Sequence, residues 1–165
     1  MQTESIPNLL VLGLGNLLMN DDAAGLHAVY ALQERYSNSD HFLILDGGTL
    51  GLDLLGYLEW ADKLLILDAI DINAEPGAVA LIEGDDIDTI FETKLSPHQM
   101  GLKDLLAAAE LNDDRPGEIT LLGIQAKSIN MEMQLTPQVQ VGLTKLVSEA
   151  SLFIDDFFAN CTAPQ

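Results

Sequence analysis

The chain has 165 residues, enough for one domain with a sizeable core, and 48% of them are hydrophobic, which excludes a disordered polypeptide. Its 26 acidic against 7 basic residues give a formal charge of −19, which excludes nucleic acid and anionic membrane as partners and favours basic surfaces or cations. No apolar run reaches the roughly 18 residues of a membrane span, the leading MQTESIPN lacks the marks of a signal peptide, and the single cysteine, Cys161, allows no internal disulfide, so a cytoplasmic protein without membrane insertion is expected.

In chain order, residues 9–14 (LLVLGL) form a continuous apolar run, the pattern of a strand buried on both faces. A loop, Gly13-Leu14-Gly15-Asn16, and two adjacent acids, Asp21 and Asp22, lead into a helical pattern over 23–36, with Leu26, Val29, Tyr30 and Leu32 on one face. A second strand over 42–45 stops at Asp46-Gly47-Gly48, a helix covers 50–60, and a third strand, KLLIL over 63–67, stops at Asp68. The turn DINAEPG (71–77) is too short for a helical crossover, so the fourth strand, 78–82, is expected to run antiparallel. A short helix over 85–91 follows. Ser96-Pro97-His98 opens a helix over 99–111, and after the polar loop 112–117 come a fifth strand over 119–124, a closing helix over 137–158 and a frayed tail, 159–165. Strands alternating with helices predict a single-domain α/β fold: three layers, α/β/α, around a mostly parallel, twisted five-stranded sheet, with its core over about 9–158 of the 165 residues.

In open α/β sheets ligands bind beyond the carboxyl ends of the strands. Asn16, Asp21 and Asp22 follow the first strand, Asp46 the second, Asp68 and Asp71 the third, and Gln125 and Lys127 the fifth, while His98 opens the helix before the fifth. Each has an ordinary structural explanation. Asp21 or Asp22 is a helix N-cap or first-turn acid, Asp46 before Gly-Gly a turn former, and His98 a capping or surface residue. Asp68 is harder to explain so, because a carboxylate against a buried strand needs partners. Ser96 and Ser128 have no acid-base partner at a telling spacing, which leaves a nucleophilic serine without support. The glycine loop lacks the third glycine of the dinucleotide fingerprint, since position 18 is Leu18, and no Gly-Lys-Ser/Thr follows it as a P-loop requires. The residues therefore predict carboxylates and a histidine converging on a metal at the strand ends. That mixed ligand set suits Ni, Zn or Mn better than Mg or Ca and leaves coordination positions open.

Five segments in order, VLGLGNLLMNDDAAG, LILDGGTLGLDLL, LLILDAIDINAEPG, LSPHQMGLKDLL and LLGIQ, resemble the nickel-iron hydrogenase maturation endopeptidases, over roughly residues 9–147. DGGTLG and SPHQ are most similar to the group serving uptake hydrogenases. The resemblance implies an endopeptidase, classed with the aspartic peptidases, that removes a C-terminal peptide from the hydrogenase large-subunit precursor after nickel insertion. It implies nickel contributed by the precursor, no organic cofactor, and a monomeric enzyme. The family's nickel-binding and catalytic positions match Asp22, Asp68 and His98 here, and Asp46 lies in a family motif of less settled role. The family accepts Glu or Asp at the first position. Asp is one methylene shorter, so its reach depends on local backbone. No Asp-Thr-Gly pair is present. On this expectation the three ligands contact nickel in the precursor, which docks the cleavage site, and a carboxylate or metal-polarised water attacks the scissile carbonyl.

Overall fold

The chain order is β1 (Leu9–Gly13), a 3-10 turn (Asn20–Ala23), α1 (Ala24–Arg35), β2 (Phe42–Asp46), α2 (Leu54–Trp60), β3 (Lys63–Ile70), β4 (Val79–Glu83), α3 (Asp86–Thr93), α4 (Pro97–Leu111), β5 (Glu118–Gln125) and α5 (Pro137–Thr162). These bounds come from a computed structural model, which describes residues 5–48, 53–93 and 97–162, and the side chains of all of these except 92–101 and 162. The sheet order is β2-β1-β3-β5-β4, parallel throughout except for the antiparallel pair β4–β5. The short turn before β4 does reverse the chain, as its length requires. Among the described residues no helix is long and apolar enough to cross a membrane.

The apolar runs become strands because both sheet faces are covered. Leu9, Val11, Leu65, Leu67, Leu122 and Ile124 face a layer made by α1 and α5. Leu10, Leu12, Leu64, Ile66, Ile70 and Leu121 face α2, α3 and α4. Strand side chains alternate between faces, so the central stretches of these strands are apolar at successive positions, and β1 is fully buried from end to end. The three-layer α/β/α architecture with a mostly parallel sheet is therefore the observed one.

Two boundaries in particular differ from the sequence-based expectation. β3 does not stop at Asp68; it continues to Ile70, because β5 supplies pairing partners through Ile70↔Gln125. α5 continues past 158 to Thr162, since Phe158 and Cys161 still pack on the core and Phe158 stacks edge-on against Phe42 with ring centroids 5.0 Å apart. Of the tail expected to fray, 159–162 are helical, and 163–165 lie outside the described residues. The expected start of the second helix, 50–52, and Ser96 also lie outside them.

The order of the sheet fixes where a site can form. From β1 the chain moves outward to β2, then crosses back to β3 on the other side. The carboxyl ends of β1 and β3 are the topological switch point, where flanking connections diverge and leave a crevice.

Candidate active site

Asp68 stands at that crevice. β1 pairs with β3 only as far as Gly13↔Leu67, with Leu14 N–H reaching Leu67 O at 2.9 Å. The next residue, Asp68, has β5 beside it (Asp68↔Gly123) and no β1 rung on the other side. Alternation places its side chain with Leu64, Ile66 and Ile70, toward the α2–α4 layer. The residue is fully buried. It has interactions of its own, but the Oδ1 atom is buried and takes no hydrogen bond from the described residues.

Asp22 comes to the same end of the sheet, on the side covered by α1. It belongs to the 3-10 turn that leads into α1 and packs across the end of β3, and it is 7% exposed. Two glycines make this close approach possible. A Cβ on Gly15, whose φ is 144°, would collide with Asp22 O, and one on Gly25 would collide with Leu67 O and Leu14 O. The glycine loop therefore presses its backbone against the chain's own turn rather than against a phosphate.

His98 is the second residue of α4. Its side chain lies outside what is described, and among the described residues no three His, Cys, Asp or Glu side chains gather as a metal group. Topology still locates it. The 15 residues of α4 span about 22 Å and end at the amino edge of the sheet, just before β5 begins. Its first turn therefore starts at the carboxyl edge, in the layer toward which Asp68 points.

The remaining acids at this edge are committed to local structure. Asp21 is fully buried, and its carboxylate accepts hydrogen bonds from Lys127 N, Ser128 N and Thr136 N at 2.8–3.0 Å and from the Thr136 hydroxyl. It lies in the first turn of the 3-10 helix, as expected of an acid there, and its carboxylate also caps the β5–α5 connection at long range. Asp71 accepts from Asn73 N and from Gln125 Nε2, while Gln125 Oε1 takes Ile72 N and Ala74 N, so these two side chains fold the β3–β4 turn. Ser128 Oγ donates to Asn20 Oδ1 and accepts from Asn130 N, which leaves it a structural hydroxyl. Cys161, near the end of α5, packs on the amino-edge aromatic cluster, far along the helix from the site.

Asp46 behaves as the turn former of Asp46-Gly47-Gly48. Oδ1 accepts Gly48 N at 2.9 Å and Oδ2 accepts the Tyr30 hydroxyl at 2.7 Å. That hydrogen bond, then burial and the nearby negative charge, raises the Tyr30 pKa. A raised phenol pKa stabilises the fold fully below the unfolded value of about 10 and is lost as pH rises through the folded value. Tyr30→Phe is accordingly expected to cost at most about 1 kcal/mol at neutral pH, and to flatten the loss of stability above about pH 10. Urea midpoints at neutral and alkaline pH measure both, and an unchanged alkaline slope would contradict the assignment.

Comparison with known proteins finds chains of similar sequence and fold. The hydrogenase maturation protease family model matches residues 26–151. The hydrogenase 2 maturation protease of Escherichia coli K12 is 41% identical over 133 residues, covering 80% of this chain and 81% of that protein. The hydrogenase expression/formation protein HupD of Bradyrhizobium diazoefficiens is 41% identical over 143 residues, 85% of this chain and 74% of its own. Among solved structures, the E. coli hydrogenase maturating endopeptidase HybD superposes with a TM-score of 0.83 at 36% identity, covering 90% of this chain and 93% of that one.

Proposed function

The chain belongs to the hydrogenase maturation protease family, and from that premise we propose that it removes the C-terminal peptide of a nickel-iron hydrogenase large-subunit precursor, using the precursor's nickel as the recognition element. As a maturation endopeptidase it is a peptide-bond hydrolase. What supports the finer reading is that Asp68 lies buried where β1 ends beside β3, that the turn carrying Asp22 packs against the same strand, and that the first turn of α4 opens at the same edge.

Two carboxylates and an imidazole form a donor set of hard and borderline ligands, suited to a nickel ion. In this reading Asp22, Asp68 and His98 contact the nickel that the precursor carries, with other positions of the ion filled by the precursor itself. Contact with all three brings the scissile bond to the crevice and admits only loaded precursor. A carboxylate of the site then takes a proton from water as that water attacks the scissile carbonyl, and gives the proton to the amide nitrogen as the C–N bond breaks and the C-terminal peptide leaves as an amine, an aspartic-type hydrolysis. The structural commitment of Ser128 and the remote position of Cys161 favour this over a covalent route.

The deciding experiment incubates purified protein with nickel-loaded precursor and weighs the large subunit. Loss of a C-terminal peptide is expected. Stable binding without mass loss would make the protein a non-catalytic chaperone of metallocentre assembly and would overturn the proposal.

A further inference from the structure

We propose that Asp21 is a positioning residue: its buried carboxylate locks the turn carrying Asp22 to the β5–α5 connection and thereby sets where Asp22 stands relative to Asp68. The inference rests on the reading that Asp22 acts on the precursor's nickel.

Asp22 has a single methylene, so its carboxylate goes where its backbone puts it. On one side that backbone abuts Gly15. On the other, the two preceding residues are fastened to residues 127–136. The Asp21 carboxylate gathers Lys127 N (2.8 Å), Ser128 N (3.0 Å) and Thr136 N (2.8 Å), and the Thr136 hydroxyl lies 2.8 and 3.0 Å from its two oxygens. Asp21 N donates to Ser128 O at 3.1 Å, and Asn20 N to Glu132 O at 2.8 Å. Asn20 Nδ2 reaches Gln134 O at 2.7 Å. Asn20 holds a left-handed φ of 46°, a conformation that persists only where its surroundings over-determine it.

These donors follow directly on β5, and β5 is the strand paired with Asp68 through Asp68↔Gly123. The fastening therefore runs from the Asp22 turn through Asp21 into the strand beside Asp68. Fixing a loop alone does not require a buried charge, since well-packed apolar groups of like volume stabilise at least as well. What the carboxylate adds is direction, because it accepts only along fixed N–H and O–H vectors. Thr136 also illustrates the arrangement. It precedes Pro137 at the start of α5, yet its hydroxyl goes to Asp21.

The test measures precursor processing by Asp21→Asn, Thr136→Val and Thr136→Ser at a temperature where each is folded. Asp21→Asn keeps the volume but sets an amide among donors, and is expected to lower kcat/KM by about ten- to a hundredfold, the scale of a sub-ångström to 1 Å misplacement. That loss is expected to divide between kcat and KM as it does for Asp22→Glu, which displaces the same carboxylate by lengthening it. Thr136→Val loses activity severalfold and Thr136→Ser restores it. Val147→Ala in α5, a core substitution away from the connection, serves as the stability control and keeps wild-type kcat/KM. Activity of Asp21→Asn equal to that control, a different kcat-to-KM division, or equal activity of the two Thr136 variants would each overturn the inference. If Asp21→Asn does not fold, the Thr136 pair decides it. Asp22→Asn in the same assay separates the failures: its activity at wild-type level would remove the site assignment, whereas an inactive Asp22→Asn beside a fully active Asp21→Asn removes only the positioning role.

Discussion

Asp22→Asn, Asp68→Asn and His98→Gln are each expected to yield a folded protein that no longer shortens nickel-loaded precursor. Each substitution keeps side-chain volume close to the original and removes either a negative charge or an imidazole nitrogen. Asp68 is fully buried and Asp22 nearly so, and neither carboxamide opens a cavity, so melting temperatures are expected to stay within a few degrees of the original. Function is lost because a carboxamide is a poor nickel ligand and cannot accept a proton from attacking water. For a group that acts as general base this costs about 10²- to 10⁴-fold, and the loss of a contact to nickel adds to it. Single-turnover processing followed by large-subunit mass, with circular dichroism on the same samples, measures both quantities. Wild-type rates in any of the three would remove that residue from the site.

Gly25→Ala and Gly56→Ala are expected to change stability in opposite directions. Both glycines lie in helices, α1 and α2, where alanine is ordinarily better by up to about 1 kcal/mol. At the exposed Gly56 a Cβ would meet nothing within 4 Å, so propensity decides and the variant gains about 0.5–1 kcal/mol. At Gly25 the Cβ would collide with two backbone oxygens, Leu67 O and Leu14 O, neither able to yield without moving the end of β3 or of β1. Sterics then exceed propensity, with a loss of about 3 kcal/mol, the upper range for overpacking. Urea titration reads this as a lowered midpoint, by roughly 1–2 M for typical slopes. The collision lies beside Asp68, so the folded fraction of Gly25→Ala should also process poorly. A Gly25→Ala protein as stable as the parent would show that α1 does not pack on the crevice as described.

Which parts were legible in sequence follows from how local the forces are. Central strands were readable because parallel strands covered on both faces are apolar along their buried stretch, as LLVL and LLIL are. The reversed β4 was readable because a seven-residue connection cannot hold a crossover helix. The extension of β3 past Asp68 was not, because its pairing partners lie in β5 (Asp68↔Gly123 to Ile70↔Gln125), out of reach of any local pattern. The last turn of α5 was missed for a similar reason: Phe158 is held by Phe42, from the far end of the chain.

The site divides along the same line. Asp22 and Asp68 stand out in sequence as acids at strand ends; the fold buries Asp68 where β1 ends beside β3 and packs the turn of Asp22 against that strand. By residue type Asp21 and Asp22 look alike, yet Asp21 is fastened to donors 106 to 115 residues away. Only the family resemblance, not a local pattern, singled out Asp22. Asn20 gave no local signal either, since a left-handed φ forced by distant carbonyls leaves no mark beyond an asparagine.

The central claim is that the precursor's nickel licenses cleavage through Asp22, Asp68 and His98. Its most direct test is the large-subunit mass after incubation of the wild-type protein with matched nickel-loaded and nickel-free precursor. Shortening of the loaded form alone is the predicted result; equal shortening of both would contradict the claim.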